Sequence, residues 1–197
     1  MTPVMFFGYN NAKGDEMTNH KQTQTIAYAS ILVAFGIIIP MMMPIKVIIG
    51  PASFTLASHV PIFLATFISL PVAIFVSLGT ALGFFMAGFP IVIVFRALSH
   101  ILFAIIAATL LRKQSSLLEN PIKAFPFAFG INVIHAAAEF AVVLLLTKTV
   151  STDSSYIWTI LGLVGLGTLI HGIVDFYLSF WLWDIMVHKL NLKIAKQ

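Results

Sequence analysis

Long apolar segments recur along the chain and restrict it to one class of protein. The stretch FPIVIVFRALSHILFAIIAATLL, residues 89–111, carries a single charged side chain, Arg96. A helix of about 20 apolar residues is long enough to cross the hydrocarbon core of a bilayer. Only 9% of the 197 residues are charged and 59% are hydrophobic, whereas about a quarter of the residues of a soluble domain are charged. The sequence therefore predicts a polytopic membrane protein.

The hydrophobic pattern predicts six helical segments joined by short loops. Their bounds are about 24–43, 56–69, 71–87, 90–111, 124–147 and 157–187. We therefore expect an all-α membrane protein, a bundle of six transmembrane helices, within a domain spanning 24–187. Residues 1–23 form an N-terminal tail, disordered or interfacial, without the pattern of a signal peptide, and Met17 is an alternative start. Residues 188–197 form a basic tail. The loop 44–55 contains a Gly50–Pro51 turn signal.

Basic residues predict the orientation of this bundle. They concentrate in the loop 112–123, at Lys21 before the first segment and in the C-terminal tail. With an even number of helices these three regions lie on one side, and excess Lys and Arg mark the cytoplasmic side. Both termini are therefore expected in the cytoplasm, and the protein in the cell membrane as a multi-pass protein. The charge pattern follows segment ends, so it does not indicate nucleic-acid binding.

Several chemistries have no sequence signature here. The chain has no cysteine, which excludes disulfides and thiolate metal sites. No phosphate-binding glycine loop occurs, so the chain supplies no ATPase of its own. Neither a metalloprotease motif nor a serine-hydrolase elbow is present, and we expect no enzyme activity and no cofactor.

Polar residues inside the apolar segments are the candidate functional residues. A charged side chain at the centre of a membrane helix costs about 3 kcal/mol on insertion scales, so its presence needs a reason. On each of three segments the polar residues share one helix face, because they lie three, four or seven positions apart. The simplest arrangement points all three stripes into one interior cavity. The stripes are Arg96 and His100, then Asn132, His135 and Glu139, then His171 and Asp175.

Depth along each segment refines this expectation. Arg96 and Glu139 lie roughly 9 and 12 Å from the same membrane side at 1.5 Å per residue, and His59 opens the second segment near that side. By the same count along the sixth segment, Asp175 lies in the opposite half of the membrane. His171 and Asp175 are therefore expected to be structural. Arg96 either pairs with Glu139 or binds an anion, and the two roles are compatible. Asn132 and His135 either bind a ligand or hydrogen-bond between helices.

Small residues mark close helix contacts. Gly79, Gly83 and Ala87 on the third segment predict packing inside the bundle. Ala27, Ser30 and Ala34 form a second patch on the first segment, for which a partner protein and internal packing are both open.

The chain resembles the substrate-binding S component of an energy-coupling factor (ECF) vitamin transporter over residues 24–187. The resemblance rests on the six segments, the first-helix patch, and the stretches KVIIGPASFTLASHVPIFLATFIS and GFPIVIVFRALSHILFA. Family members usually have Ala-xxx-Ala where this chain has Ser30-xxx-Ala34. The resemblance implies high-affinity vitamin capture, and docking through Ala27, Ser30 and Ala34 on a transmembrane coupling subunit driven by two ATPase subunits. It also implies a substrate site made of Arg96, His100, Asn132, His135 and Glu139, with residues 54–59, including Phe54 and His59, as a lid.

A buried arginine favours a carboxylate vitamin, niacin or pantothenate. Niacin is flat, and Phe89, Phe95 and Trp158 are candidates to stack on it. Two other functions stay open from the residues. One is an intramembrane metalloenzyme built on the His and carboxylate residues, although Arg96 would repel a cation there and no metal is expected. The other is a proton-coupled carrier that uses Glu139 or Asp175.

Overall fold

The computed structural model describes residues 4–147 and 154–189, with side chains from residue 22 onward except at 154 and 188, and this part of the chain is mostly helical. It confirms the all-α membrane class. The predicted basic tail lies outside the described residues from 190 onward. A 3₁₀ turn, Ser115–Leu118, follows α4, and π-helical stretches, Leu161–Leu166 and Ile185–Lys189, precede and follow α7. The α-helices are α1 Val4–Met42, α2 Val60–Ile68, α3 Leu70–Met86, α4 Ile91–Lys113, α5 Pro121–Thr147, α6 Ser154–Ile160 and α7 Gly167–Asp184.

Four helical stretches of the described chain are long and apolar enough to cross a membrane. They are Gln22–Met42, Ile91–Lys113, Pro121–Thr147 and Ser155–Val187, and Leu70–Met86 is a shorter apolar helix. Large apolar side chains cover the outside of the bundle, as expected of a surface that faces lipid; Phe75, Leu82 and Phe85 of α3 are examples. Residues 4–23, which the sequence assigned to a tail, are helical up to the start of the first span and belong to α1.

The short helix α2 forms the centre of the bundle. All nine of its residues are buried, and it packs against α1, α3, α4 and α7. At 1.5 Å per residue it is roughly 14 Å long, about half of a bilayer core. Ser69 ends α2 in an extended conformation and its hydroxyl accepts the Val72 N–H at 3.4 Å, which begins α3. Phe63 of α2 packs on Phe103 and Phe176, with ring centroids 5.3 and 5.4 Å away.

The segment between α1 and α2 is a β-hairpin where the sequence predicted a loop. Strands β1 Lys46–Ile49 and β2 Ala52–Thr55 pair antiparallel, with Ile49 opposite Ala52. The predicted Gly50–Pro51 turn is confirmed, because Gly50 takes a φ of +56°, which a residue with a Cβ rarely adopts. The short strands carry no alternation strong enough to be recognised in sequence.

Two glycines allow α1 and α3 to pack closely. A Cβ at Gly79 would collide with Val33, and one at Gly83 would collide with Ile37. The prediction that Gly79 and Gly83 serve internal packing is therefore confirmed, while the neighbouring Ala87 is exposed. On α1, the other predicted patch lies on an exposed face, which comprises Ala27, Ser30 and Ala34.

Candidate functional site

A buried ion pair joins α4 to α5. Arg96 Nη2 lies 2.7 Å from Glu139 Oε2, and Arg96 Nε donates to the same oxygen at 3.2 Å. Thr168 of α7 donates its hydroxyl to that oxygen at 2.6 Å. Arg96 and Glu139 are 4% and 2% exposed, so each charge depends on the other for compensation. The ion pair considered from the sequence is therefore present.

The second carboxylate oxygen of Glu139 faces two histidines. His100 Nε2 lies 2.8 Å from Oε1, and His135 Nε2 lies 3.5 Å from it. Asn132 supports His135 from one turn below, with its Oδ1 3.4 Å from His135 Nδ1. Glu139 therefore has two different sides, one toward the guanidinium and one toward imidazoles.

Asp175 holds the start of α2 against α7. Its carboxylate accepts the backbone N–H groups of Ala57 and His59, each at 2.9 Å, and lies 3.1 Å from His59 Nδ1. His171, one turn earlier on α7, has Nε2 3.3 Å from the same carboxylate. Ala57 has a φ of 66°, a conformation that is unfavourable for a residue with a Cβ, and its hydrogen bond to Asp175 offsets this strain.

Three imidazole rings meet between the two carboxylates. The ring centroid of His59 lies 4.7 Å from that of His100 and 4.6 Å from that of His135. The centroids of His100 and His135 are 4.9 Å apart. The rings are steeply inclined to one another, at 68° to 88°, in edge-to-face contacts, and one nitrogen of each ring lies within 4.8 Å of one nitrogen of the others. His59 directly precedes α2, and the other two rings come from α4 and α5.

A cavity of about 470 Å³ lies beside this cluster and beneath the hairpin. This volume falls in the range of small-molecule sites. Arg96 Nη1 donates to the Pro51 carbonyl at 3.0 Å and lies 3.4 Å from Ser53 Oγ, so the guanidinium ties the hairpin to α4. The polar and charged residues of the cavity wall are Lys46, Ser53, Thr55, Ser58, His59, Thr80, Arg96, His100 and Glu139.

The structure brings most of the candidate residues together. Arg96, His100, Glu139 and His59 line the cavity. His135 is fully buried beside it.

Three candidates lie elsewhere. Asn132 is fully buried against Gly172 of α7, where a Cβ would collide with its side chain. Phe54, in strand β2 of the hairpin, packs edge-on against His171, at 5.7 Å between centroids, and does not line the cavity. Trp158 is 71% exposed and does not line the cavity, and Phe95, considered for stacking, is 42% exposed. These two aromatic residues therefore do not line this cavity, whereas Phe89 does.

The depth expected for Asp175 is wrong. Position along the segments predicted a different layer for His171 and Asp175 than for His59, yet Asp175 bonds directly to His59. The depth estimate from residue counts assumed that His59 lies at the end of a helix that crosses the whole membrane. Instead the chain from Thr55 to His59 descends into the bundle and α2 starts near its middle, so His59 reaches the level of Asp175.

Thr168 is a site residue that the sequence analysis missed. Together with His171 and Asp175 it follows the i, i+3, i+7 spacing already noted for Asn132, His135 and Glu139. That spacing was the signal by which Thr168 could have been found. However, a threonine hydroxyl in an apolar helix usually bonds its own backbone, so a threonine is a weak indicator of a site.

Comparison with known proteins identifies the family. Niacin transporter NiaX of Lactococcus lactis subsp. cremoris (strain MG1363) is 37% identical over 187 residues, which cover 92% of this chain and 84% of that protein. The chain belongs to the S components of ECF vitamin transporters. It is therefore a multi-pass cell-membrane protein that takes part in vitamin uptake, and it is not an enzyme. No family model matches the chain, and no solved structure is significantly similar to it.

Proposed function

We propose that this S component binds niacin in the cavity beneath the hairpin, with Arg96 as the receptor for the carboxylate. The relative that shares 37% of its residues is a niacin transporter. The observation that carries the proposal is a guanidinium, 4% exposed, in the wall of a cavity of about 470 Å³. A guanidinium matches the planar fork of a carboxylate and stays charged when buried.

The charges of the cavity wall favour an anionic ligand. Among the described residues, its permanently charged side chains are Lys46, Arg96 and Glu139. With neutral imidazoles the wall thus has one uncompensated positive charge, which a monoanion such as nicotinate neutralises. Pantothenate carries the same charge, so charge alone does not separate these two vitamins.

The hairpin is placed to cover the bound vitamin. Arg96 Nη1 bonds the Pro51 carbonyl and is the part of the guanidinium that does not contact Glu139. A carboxylate that takes Nη1 would release Pro51 and require the hairpin to adjust. Residues 56–59, which connect the hairpin to α2, would transmit this movement to His59.

Binding measurements on purified protein test the proposal. Nicotinate, nicotinamide, pantothenate and pyridoxine are titrated separately by calorimetry. Nicotinamide has the shape of nicotinate without its charge, and one lost charged hydrogen bond is worth roughly 1.5–3 kcal/mol, or about 10- to 150-fold in affinity. We expect nicotinate to bind best and nicotinamide to bind weaker by that factor.

The variant Arg96→Gln should reduce the preference for nicotinate over nicotinamide to about 1, and Leu82→Trp on the lipid-facing side of α3 is the matched control. Equal binding of nicotinate and nicotinamide by the unaltered protein would exclude Arg96 as the anion receptor. A strong preference for pantothenate would show that pantothenate, and not niacin, is the substrate.

We further propose that the exposed patch Ala27, Ser30 and Ala34 docks on the transmembrane coupling subunit of an ATP-driven ECF module with two ATPase subunits. Each of the three side chains is exposed on α1, whereas the face of α1 that includes Ala29 and Gly36 is buried in the bundle. Small residues on an outward face let another helix approach closely. Ala34→Trp should abolish uptake in cells that contain the module and preserve nicotinate binding. The control Leu82→Trp should change neither, and normal uptake by Ala34→Trp would rule the patch out.

The proposed topology has six membrane passes with both termini in the cytoplasm. The chain alternates between two ends of the bundle: Pro40, Phe84 and Pro90 lie at the hairpin end. Ser69, Leu111, Pro121 and Trp183 lie around a second cavity at the other end. The basic loop 112–123 is at this second end, which is therefore assigned to the cytoplasm.

A further inference from the structure

We propose that His59, His100, His135 and Glu139 form a binding site for a divalent transition-metal ion of the zinc type at the floor of the cavity. One ligand atom of each residue lies within 4.8 Å of the others, and all four residues are buried. Three imidazole nitrogens and one carboxylate oxygen are a ligand set that suits Zn²⁺, and the nitrogens disfavour Mg²⁺ and Ca²⁺.

Unpartnered nitrogens are an independent sign of a missing ligand. Among the described residues, His135 Nε2 and His100 Nδ1 are buried side-chain atoms without a hydrogen-bond partner. His135 is fully buried, so no solvent reaches its ring. Leaving a buried polar atom without a partner is unfavourable by roughly 1–3 kcal/mol, and an ion at the centre of the cluster would satisfy His135 Nε2.

The ring geometry is close to that of a tetrahedral site. With metal–nitrogen distances of about 2.0–2.1 Å, three imidazoles around one tetrahedral ion have their centroids about 5 Å apart. The observed centroid distances are 4.6, 4.7 and 4.9 Å. The spacing of the rings is therefore slightly shorter than in an occupied tetrahedral site, which is consistent with three ligands that surround one ion.

Neighbouring groups support the ligands as they do in metal sites. Asp175 lies 3.1 Å from His59 Nδ1, which leaves His59 Nε2 as the nitrogen available to the ion. Such a carboxylate–histidine arrangement orients the imidazole and makes it a stronger ligand. Asn132 Oδ1 stands near Nδ1 of His135 in the same way, at 3.4 Å.

Arg96 does not prevent cation binding, although its charge was the argument against a metal at the sequence level. The guanidinium and Thr168 both bond Glu139 Oε2, whereas Oε1 is the oxygen that faces His100 and His135. Arg96 and the carboxylates of Glu139 and Asp175 are all buried, so the two negative charges exceed the positive one when the imidazoles are neutral. A cation corrects this imbalance and adds positive charge beneath the cavity.

The first test uses the full chain without a polyhistidine tag and without vitamin. The protein is stripped with a chelator in detergent and titrated with Co²⁺. We expect the visible absorption of tetrahedral Co²⁺ to saturate at one ion per chain and to disappear when Zn²⁺ is added. Absence of saturable Co²⁺ and Zn²⁺ binding overturns the proposal, and it leaves the niacin proposal unaffected because no vitamin is present.

The second test separates the four proposed ligands from an overlapping group, His59, His171 and Asp175. His135→Gln and His100→Gln should each weaken Co²⁺ binding by roughly 100-fold or more, since even the loss of a supporting residue typically costs 10- to 100-fold. His171→Gln keeps all four ligands and should weaken it by less than about tenfold. If His171→Gln is as damaging as His135→Gln, the assignment of the ligands is wrong.

Discussion

Replacement of Glu139 by glutamine should destabilise the protein and at the same time increase its response to nicotinate. Within the described chain, Glu139 is the carboxylate that pairs with Arg96, and both side chains are buried. Breaking a buried pair by removing one partner leaves an uncompensated charge and costs about 3–5 kcal/mol. The amide of glutamine retains the volume and part of the hydrogen bonding, so we expect a loss near the lower end of that range.

The reciprocal variant completes a double-mutant cycle. Arg96→Gln leaves the Glu139 carboxylate buried with Thr168 and His100 and should cost a similar free energy. The double variant has no buried charge at either position. Its loss of stability should therefore be smaller than the sum of the two single losses by about 2 kcal/mol or more.

Ligand rescue gives this cycle a functional readout. In Glu139→Gln the guanidinium lacks its anion, so the nicotinate carboxylate takes that place. A ligand that binds only the folded state stabilises it by RT ln(1 + [L]/Kd). Nicotinate should therefore stabilise Glu139→Gln more than it stabilises the unaltered protein, whereas nicotinamide should stabilise both weakly. Arg96→Gln should respond weakly, and to a similar extent, to both compounds.

The assay is unfolding in a denaturing detergent, followed by helical circular dichroism with a chelator present so that bound metal does not contribute. Each variant is measured with and without saturating nicotinate or nicotinamide. Strictly additive losses in the cycle would show that Arg96 and Glu139 do not interact. An equal response of Arg96→Gln and the unaltered protein to nicotinate would show that the guanidinium does not hold the carboxylate.

Three further predictions follow from other parts of the fold. Gly83→Ala should destabilise the protein by about 1–3 kcal/mol because its Cβ meets Ile37. The control Gly130→Ala, which has open space around it, should be neutral or stabilising by up to about 1 kcal/mol. Equal unfolding midpoints of the two variants would contradict the packing argument. Asp175→Asn should cost about 1.5–3 kcal/mol, since it weakens bonds to two backbone N–H groups, and protease resistance of the segment after the hairpin should fall with it. Because the chain has no cysteine, single cysteines can be introduced at Lys113 and Val47 and labelled with an impermeant maleimide. The cysteine at 113 should react from the inside of the cell and the cysteine at 47 from the outside. Labelling of both from the same side would refute the proposed topology.

Local sequence determined the apolar helices and the residues that share a helix face. The length and composition of the apolar runs were sufficient for the helical membrane class, because a helix is the structure that satisfies its backbone within lipid. Helical spacing placed Asn132, His135 and Glu139 on one face, and the need to compensate a buried charge suggested the pairing of Arg96 with Glu139. The first conclusion depends on residues that are close in sequence, and the second on the general requirement that a buried charge is compensated.

Tertiary structure alone decided how the stripes meet. Helical spacing defines the face of a residue but not its depth, and depth depends on where each helix starts. The segment after the hairpin descends into the bundle, so His59 bonds Asp175 and the predicted separation of their layers fails. Trp158 turns outward for a related reason: the side of α6 that faces the bundle is set by its contacts with neighbouring helices, which no local pattern contains. The cluster of His59, His100 and His135 likewise exists only because three helices converge on one point.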